Sequence, residues 1–304
     1  MNKNNLFSSL TLLGLFVFSS CNLDLAPEDT LSPKTYFKNG PQLELWTNHF
    51  YSLFPDVDDL AKQNADDNIS SELGETLMGQ RSAASENGWT WERLRDINYY
   101  LQHSNQCPDE HVRKQYDGVA YFFRAYFYFD KVKRYGDVPW YDQVLNFNDD
   151  KLLAKPRQDR EIIMDSVMQD LDKAIGMLPT KKDQVRVTKW TALALKSRVA
   201  LYEGTFRKYR GMNDAEKYLK QAVAAGEQFI DNSGYRLYTN GAEPYRTLFN
   251  SIDAVGDEII LAKRHSNTAN VRHSIPFNII IYRQSFTKRF MNHYLMADGT
   301  RFED

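Results

Sequence analysis

The sequence predicts an all-α-dominated fold: a scaffold of tetratricopeptide-like helical pairs carrying a loop-rich, partly β C-terminal segment. Three observations predict it. Apolar residues recur at helical spacing from Pro41 to about Gly234. Alanines sit where such helices would cross, at Ala120, Ala125, Ala174, Ala192, Ala200 and Ala222, as in stacked helical repeats. From about Tyr235 the periodicity gives way to Gly, Asn, Ser and Thr between short apolar runs. The repeat period is irregular, because Ala125 and Ala174 lie far more than one repeat apart, so a generic helical bundle is the alternative arrangement.

The chain of 304 residues is long enough for one or two domains with a sizeable core. Residues 1–20 read as a signal peptide: Met1–Asn5 is polar with one base, Lys3, and Leu6–Phe18 is apolar but too short to span a bilayer. Ser19-Ser20-Cys21 follows, and it resembles the lipobox of bacterial lipoproteins, with Phe18 where an aliphatic residue is usual. Cys21 is therefore the expected lipidation site. An ordinary signal peptide with an incidental cysteine is the other reading. Residues 21–40, with Pro27, Pro33 and several acids, read as a lipid anchor and tether. Cys107 is then the remaining thiol and is expected to be buried.

Residues 41–234 form the helical domain. Pro41–Phe54 carries Leu45, Trp46, His49, Phe50 and Leu53 at helical spacing. Trp91–Ser104 puts Leu94, Ile97, Asn98 and Leu101 on one face, which places Trp91 in the core. His111–Arg134 has the widest stripe, from Val119 to Val132, and Gly136 and Pro139 end it. Asp159 is a candidate cap for the next helix, with Ile163, Val167, Leu171 and Ala174 inside. Thr188 is a candidate cap for the one after it. Asn213 and Glu216 have capping-box spacing before a helix expected to bury Leu219, Ala222, Val223 and Phe229. Residues 235–304 read as a mixed, loop-rich segment laid over the helical scaffold, with β-type runs at Glu258–Arg264 and Phe277–Tyr282.

Several function classes are excluded. With 38 basic and 40 acidic residues the net charge is −2, so no nucleic-acid partner is expected. Two cysteines rule out a disulfide framework and an all-cysteine metal site. GxSxG, HExxH, CxxC and GxGxxG are absent, and Gly74–Gln80 imitates a phosphate loop with Gln80 where Lys is needed. No cofactor, no metal and no catalytic residue are expected. Asp66 and Asp67 read as a solvated or helix-capping pair ahead of a calcium site.

Four landmarks occur in order: the lipobox; Arg134-Tyr135-Gly136-Asp137-Val138-Pro139 after an aromatic helix; Ser197–Arg207; and Tyr294-Leu295-Met296-Ala297-Asp298-Gly299. Together they resemble the RagB/SusD family of nutrient-uptake outer-membrane lipoproteins. The resemblance implies a helical scaffold that captures glycans, or in some members peptides. It also implies a partner, a SusC-like TonB-dependent outer-membrane transporter. Members of that family continue well beyond the Tyr294–Gly299 landmark, so the sequence is expected to be incomplete on its ligand-facing side and to expose apolar surface. Gly136 and Pro139 give the Arg134–Pro139 motif a structural role as a tight turn, with Arg134 and Asp137 near enough to pair.

Sugar capture calls for flat aromatic faces and planar polar groups. The weakly periodic loop Asn64–Trp89 supplies Asp67, Arg81, Asn87 and Trp89, and relatives build their glycan site with this region. Trp89, Arg81, Asp67 and, further on, Tyr282 are the candidate ligand residues; burial of Trp89 beside Trp91 is the competing reading. Rival functions are a helical-repeat interaction module without a ligand of its own and a surface glycan hydrolase. Neighbouring carboxylates at hydrolase spacing arise by chance among forty acids.

Overall fold

The computed structural model describes residues 35–57, 67–71, 73–75, 77–82, 88–146, 148–266, 268, 271–283 and 285–301, with Asn278, Ile279 and Tyr282 described by their backbone. Cys21, Asp66 and Asn87 lie outside the described residues. Asn39 starts the first helix, α1 (Gly40–Asn48), by accepting from the Gln42 amide at 3.1 Å. A 3-10 turn, His49–Leu53, extends it. α2 spans Glu92–His103. α3, Glu110–Tyr135, opens on Asp109, whose side chain accepts from the Val112 amide, and stops at Gly136, where φ is +72°. Only glycine adopts that conformation cheaply, which is why the turn falls there. α4 (Asp150–Leu153), α5 (Arg160–Met177), α6 (Lys189–Tyr209) and α7 (Ala215–Asn232) complete the scaffold.

α3, α5, α6 and α7 pack each against the one before, in alternating directions. Contacts fix the antiparallel direction of each pair. Arg124 in the middle of α3 meets Asp170 in α5, whereas Gly118 lies against Met177 and Leu178. Arg160 at the start of α5 meets Glu203 late in α6, and Lys196 meets Asp172. Ser197 donates to the Ala222 carbonyl, and a Cβ on Gly204 would stand 2.8 Å from Leu219. All six expected crossing alanines are buried, which lets these helices approach closely. The core formed by Val119, Phe122, Phe123, Tyr128, Ile163, Leu171 and Val199 is continuous with Phe37, Leu43, Phe50, Ile97 and Tyr100. Each such side chain contributes about 1.5–3 kcal/mol on burial. Tyr36 and Phe37 are part of this core, so packing starts ahead of residue 41.

Local expectations fail where tertiary contacts take over. Asp159 precedes α5 but makes no side-chain capping bond; Asp137 accepts the Arg160 amide instead. Asn213 and Glu216 form no capping box: Asp214, with φ +61°, is the residue before α7, and Glu216 pairs with Lys220 at 2.7 Å. Val223 is 58% exposed, because α7 turns Tyr218, Ala222 and Ala225 inward. Thr188 does cap α6, in a capping box with Thr191.

Beyond α7 the described chain is irregular, with α8 (Pro244–Asn250), α9 (Ile275–Tyr282) and α10 (Lys288–Met291). Glu258–Arg264 forms no strand: its amides bond to separate turns, such as Ile259 to Val255 and Ala262 to Gln184. Phe277–Tyr282 lies within α9, because Pro276 in the first turn favours a helix start and a short apolar run is ambiguous in period. β1 (Asn68–Ile69) pairs antiparallel with β2 (Ser285–Phe286). Among the described residues, no helix is long and apolar enough to cross a membrane.

Candidate functional site

Trp89 ends the loop before α2, and the residue is 38% exposed. It meets Trp91 edge to face at 5.1 Å and Tyr135 at 4.8 Å. Trp91 itself is anchored on Phe127, Tyr128 and Tyr141. Trp89 does lie beside Trp91, as the competing reading expects, and it still keeps more than a third of its residue surface in solvent.

Two guanidinium groups flank this cluster. Arg157 lies over the Trp89 ring at 4.8 Å, and Arg81 lies 5.9 Å from the Tyr135 ring and donates to the Arg134 carbonyl. Lys131, almost fully buried, donates to the Gly88 carbonyl and stands 4.9 Å from the Phe127 ring. That bond ties the Trp89 loop to the last turns of α3, and it fixes the platform without relying on the loop's own sequence. The result is an indole on a rigid aromatic base with planar, five-donor cations beside it.

Trp89 and Arg81, predicted from sequence, are therefore brought to one residue, Tyr135. Asp67 is placed elsewhere by the β pairing: its carbonyl accepts from the Thr287 amide at 3.0 Å, next to β1–β2. Tyr282 closes α9 and Arg283 has φ +46°, whereas the β1–β2 register sets Asp67 beside Thr287, at the end of the pair farther along the chain from Tyr282. Sequence reasoning missed Arg157 and Lys131 as parts of the Trp89 cluster. Tyr135 was visible only as a member of the Arg134–Pro139 motif.

Among the described residues, no group of three or more His, Cys, Asp or Glu side chains could hold a metal ion. His265 and His273 meet at 5.0 Å, edge to face, as an isolated pair. Cys107 is buried.

A family model described as "Starch-binding associating with outer membrane", the SusD-like family, matches residues 46–201, just over half of the chain. The chain belongs to the SusD-like family. A SusD-like protein of Formosa agariphila is 26% identical over 247 residues, which cover 70% of this chain and 44% of that protein. Among solved structures, a SusD-like protein of Bacteroides fragilis superposes with a TM-score of 0.65 at 25% identity, covering 81% of this chain and 49% of that one. A laminarin-binding SusD-like protein shares the fold with a TM-score of 0.61 at 20% identity, covering 76% of this chain and 52% of that one. The chain thus spans about half the length of these SusD-like proteins. The helix-dominated architecture is that of the SusD-like structures.

Proposed function

We propose that this SusD-like chain serves in an outer-membrane surface lipoprotein that captures oligosaccharide at the Trp89 cluster and hands it to a SusC-like TonB-dependent transporter. Its acyl anchor is Cys21. The observation that carries the reading is the exposed Trp89 ring, fixed on Trp91 and Tyr135 with Arg157 and Arg81 beside it. An indole face offers apolar contact to the C–H side of a sugar ring, and guanidinium groups hold neighbouring hydroxyls. Asp67, at β1–β2, and Tyr282, at the end of α9, lie apart from the Trp89 cluster and are proposed as further ligand contacts, an acceptor and a second aromatic platform. The family description and the laminarin-binding relative favour a neutral glycan. The protein acts by binding and transfer, with no bond made or broken.

Calorimetry of the purified full chain with laminarin and maltose oligosaccharides tests the capture step. Trp89→Ala is expected to weaken binding about thirtyfold, corresponding to about 2 kcal/mol for one aromatic hot spot. Affinity equal to the parent, in a variant that folds normally, overturns the site. Cys21→Ala is expected to release the chain from the membrane fraction and to abolish its co-purification with the transporter from membranes; wild-type chain with an unmodified Cys21 overturns the anchor.

A further inference from the structure

A separate groove opens further along α2. Its volume is about 650 Å³, within the range of small-molecule sites. α2 contributes Asn98 and Gln102, α3 contributes Tyr121 and Arg124, and the loop after α3 contributes Asp142 and Asn146. At 1.5 Å of rise per residue, Asn98 lies about 10 Å along the helix from Trp91, so the groove is distinct from the Trp89 platform.

The groove has a built floor. Arg124 is only 5% exposed, yet it lines the groove. Its Nε and one terminal nitrogen donate to the two Asp170 carboxylate oxygens at 2.6 and 2.8 Å, and the other donates to Asn98 Oδ1 at 3.3 Å. These bonds use three of the guanidinium's five N–H groups, leaving a donor on each terminal nitrogen. Asn98 in turn donates to the Tyr141 and Gln143 carbonyls at 3.0 and 3.2 Å, and the Tyr141 amide donates to the Tyr128 hydroxyl at 2.6 Å. The loop wall is therefore held before any ligand arrives, which reduces the ordering cost of binding.

The lining selects the chemistry. Arg124 and Lys173 face three carboxylates, Asp170, Asp142 and Asp149, so an anion is disfavoured, while the two fixed cations also oppose a cationic guest. Stacking is weaker here than at Trp89, because two cations stand over the Tyr121 ring, the Arg124 guanidinium at 5.2 Å and the Lys173 ammonium at 4.8 Å, against the single Arg157 guanidinium over Trp89. Beside Leu101, Val144 and Leu152, what remains are donors and acceptors: the spare N–H groups of Arg124, the Gln102 and Asn146 side-chain amides, the Asp142 carboxylate, and the Asp149 carboxylate, one oxygen of which already accepts the Asn146 backbone amide at 2.7 Å. An apolar guest would leave them unpaired at a cost. Hydroxyl groups both donate and accept, and they match such a surface.

We infer that this groove is a second binding site, for a neutral hydroxyl-rich ligand of short-saccharide size, held by hydrogen bonds in place of aromatic stacking. The test uses maltotriose, cellotriose and laminaritriose as neutral probes and putrescine as a cationic one, on the full chain. At least one trisaccharide is expected to slow amide exchange across the loop at residues 141–146. Trp89→Ala should retain that protection. A double variant, Gln102→Ala with Asn146→Ala, changes two exposed side chains away from the core and should weaken the trisaccharide about tenfold by calorimetry. Protection by none of the three sugars, protection by putrescine alone, unchanged affinity in the double variant, or loss of protection in Trp89→Ala would each overturn the inference. Unchanged total sugar affinity in Trp89→Ala with the groove still protected would instead count against the Trp89 site alone.

Discussion

Asp137 caps a helix that begins at Arg160: its Oδ1 accepts the Arg160 amide at 2.9 Å. The same segment is pinned at Val138, which bridges to Gln158, while the Gln158 side chain accepts the Trp140 amide at 3.0 Å. The Arg134–Pro139 motif therefore joins the end of α3 to the start of α5. Asp137→Ala is expected to cost about 1 kcal/mol, the typical value of an N-cap side chain, and Asp137→Asn to keep most of it. Urea unfolding midpoints of the two variants check this; equal losses would show that the cap contributes through something other than its acceptor oxygen.

Gly136→Ala isolates the backbone of the same turn. A Cβ there meets nothing within 4 Å, but φ is +72° and ψ is −114°. The expected loss is about 1–3 kcal/mol from strain alone. Gly204→Ala differs in kind, because its Cβ would stand 2.8 Å from Leu219 across the α6–α7 crossing. A second substitution, Leu219→Ala, should recover part of the Gly204→Ala loss and none of the Gly136→Ala loss, read by thermal denaturation of the double variants.

The contrast between these caps explains what was legible in the sequence. Thr188 and Thr191 lie within one turn of the helix they start, and both could be read directly. Asp137 reaches α5 only once the intervening excursion has folded back, so Asp159 looked the better cap. Wide stripes such as Val119–Val132 were legible because almost all of that face is buried. On α7 the stripe was misplaced at Val223, because Tyr218 reaches the core from the neighbouring position and donates to Asp165 in α5. The candidate site followed the same rule. Trp89 could be nominated from its loop, whereas Tyr135, Lys131 and Arg157 join it from elements distant in the chain, with no local signal.

Glu203 is completely buried between two arginines. It accepts from Arg160 at 2.7 and 2.9 Å and from Arg207 at 2.9 Å. Removing one partner of a buried ionic group leaves uncompensated charge, which costs about 3–5 kcal/mol. Glu203→Ala is therefore expected to be among the most damaging single changes in the scaffold, and Arg207→Met with Glu203→Met together to cost less than their sum. A double-mutant cycle by urea denaturation measures the coupling; simple additivity would show that the charges do not interact.

Two aspartates should impose opposite pH slopes. Burial raises the Asp117 pKa, outweighing its bonds to Ser104 and Tyr100 and the nearby Arg113. Its contribution is present below the unfolded value of about 3.9 and is lost as pH rises through the higher folded value. For Asp165, burial also acts to raise the pKa, but hydrogen bonds from Tyr218 and Lys217 and the charge of Arg207 bring it below the usual range. Its contribution is present above the unfolded value and is lost as pH falls through the folded one. Asp117→Asn is expected to raise stability at neutral pH, with the gain disappearing in acid. Asp165→Asn is expected to lower stability at neutral pH, with the loss disappearing in acid. Unfolding midpoints across the acid range check both signs.

The two neighbouring tryptophans should separate binding from folding. Trp91 packs on Phe127, Tyr128 and Tyr141 and joins the loop to the main core. Trp91→Ala removes a large aromatic from that contact and is expected to cost about 3 kcal/mol of stability. Trp89 keeps its outer portion in solvent, and its lost contacts are chiefly the edges of Trp91 and Tyr135 and the Arg157 guanidinium. Trp89→Ala should cost about 1 kcal/mol, the scale of exposed aromatic and cation–π contacts, while removing most of the affinity for oligosaccharide. Arg157→Ala separates the two contributions further. It uncovers the Trp89 ring without deleting it, so the melting temperature should barely move while sugar affinity falls only if the guanidinium contacts the ligand. Thermal melts and calorimetry on the same three variants decide the assignment: a Trp89→Ala protein as destabilised as Trp91→Ala, with sugar affinity intact, would make Trp89 a core residue.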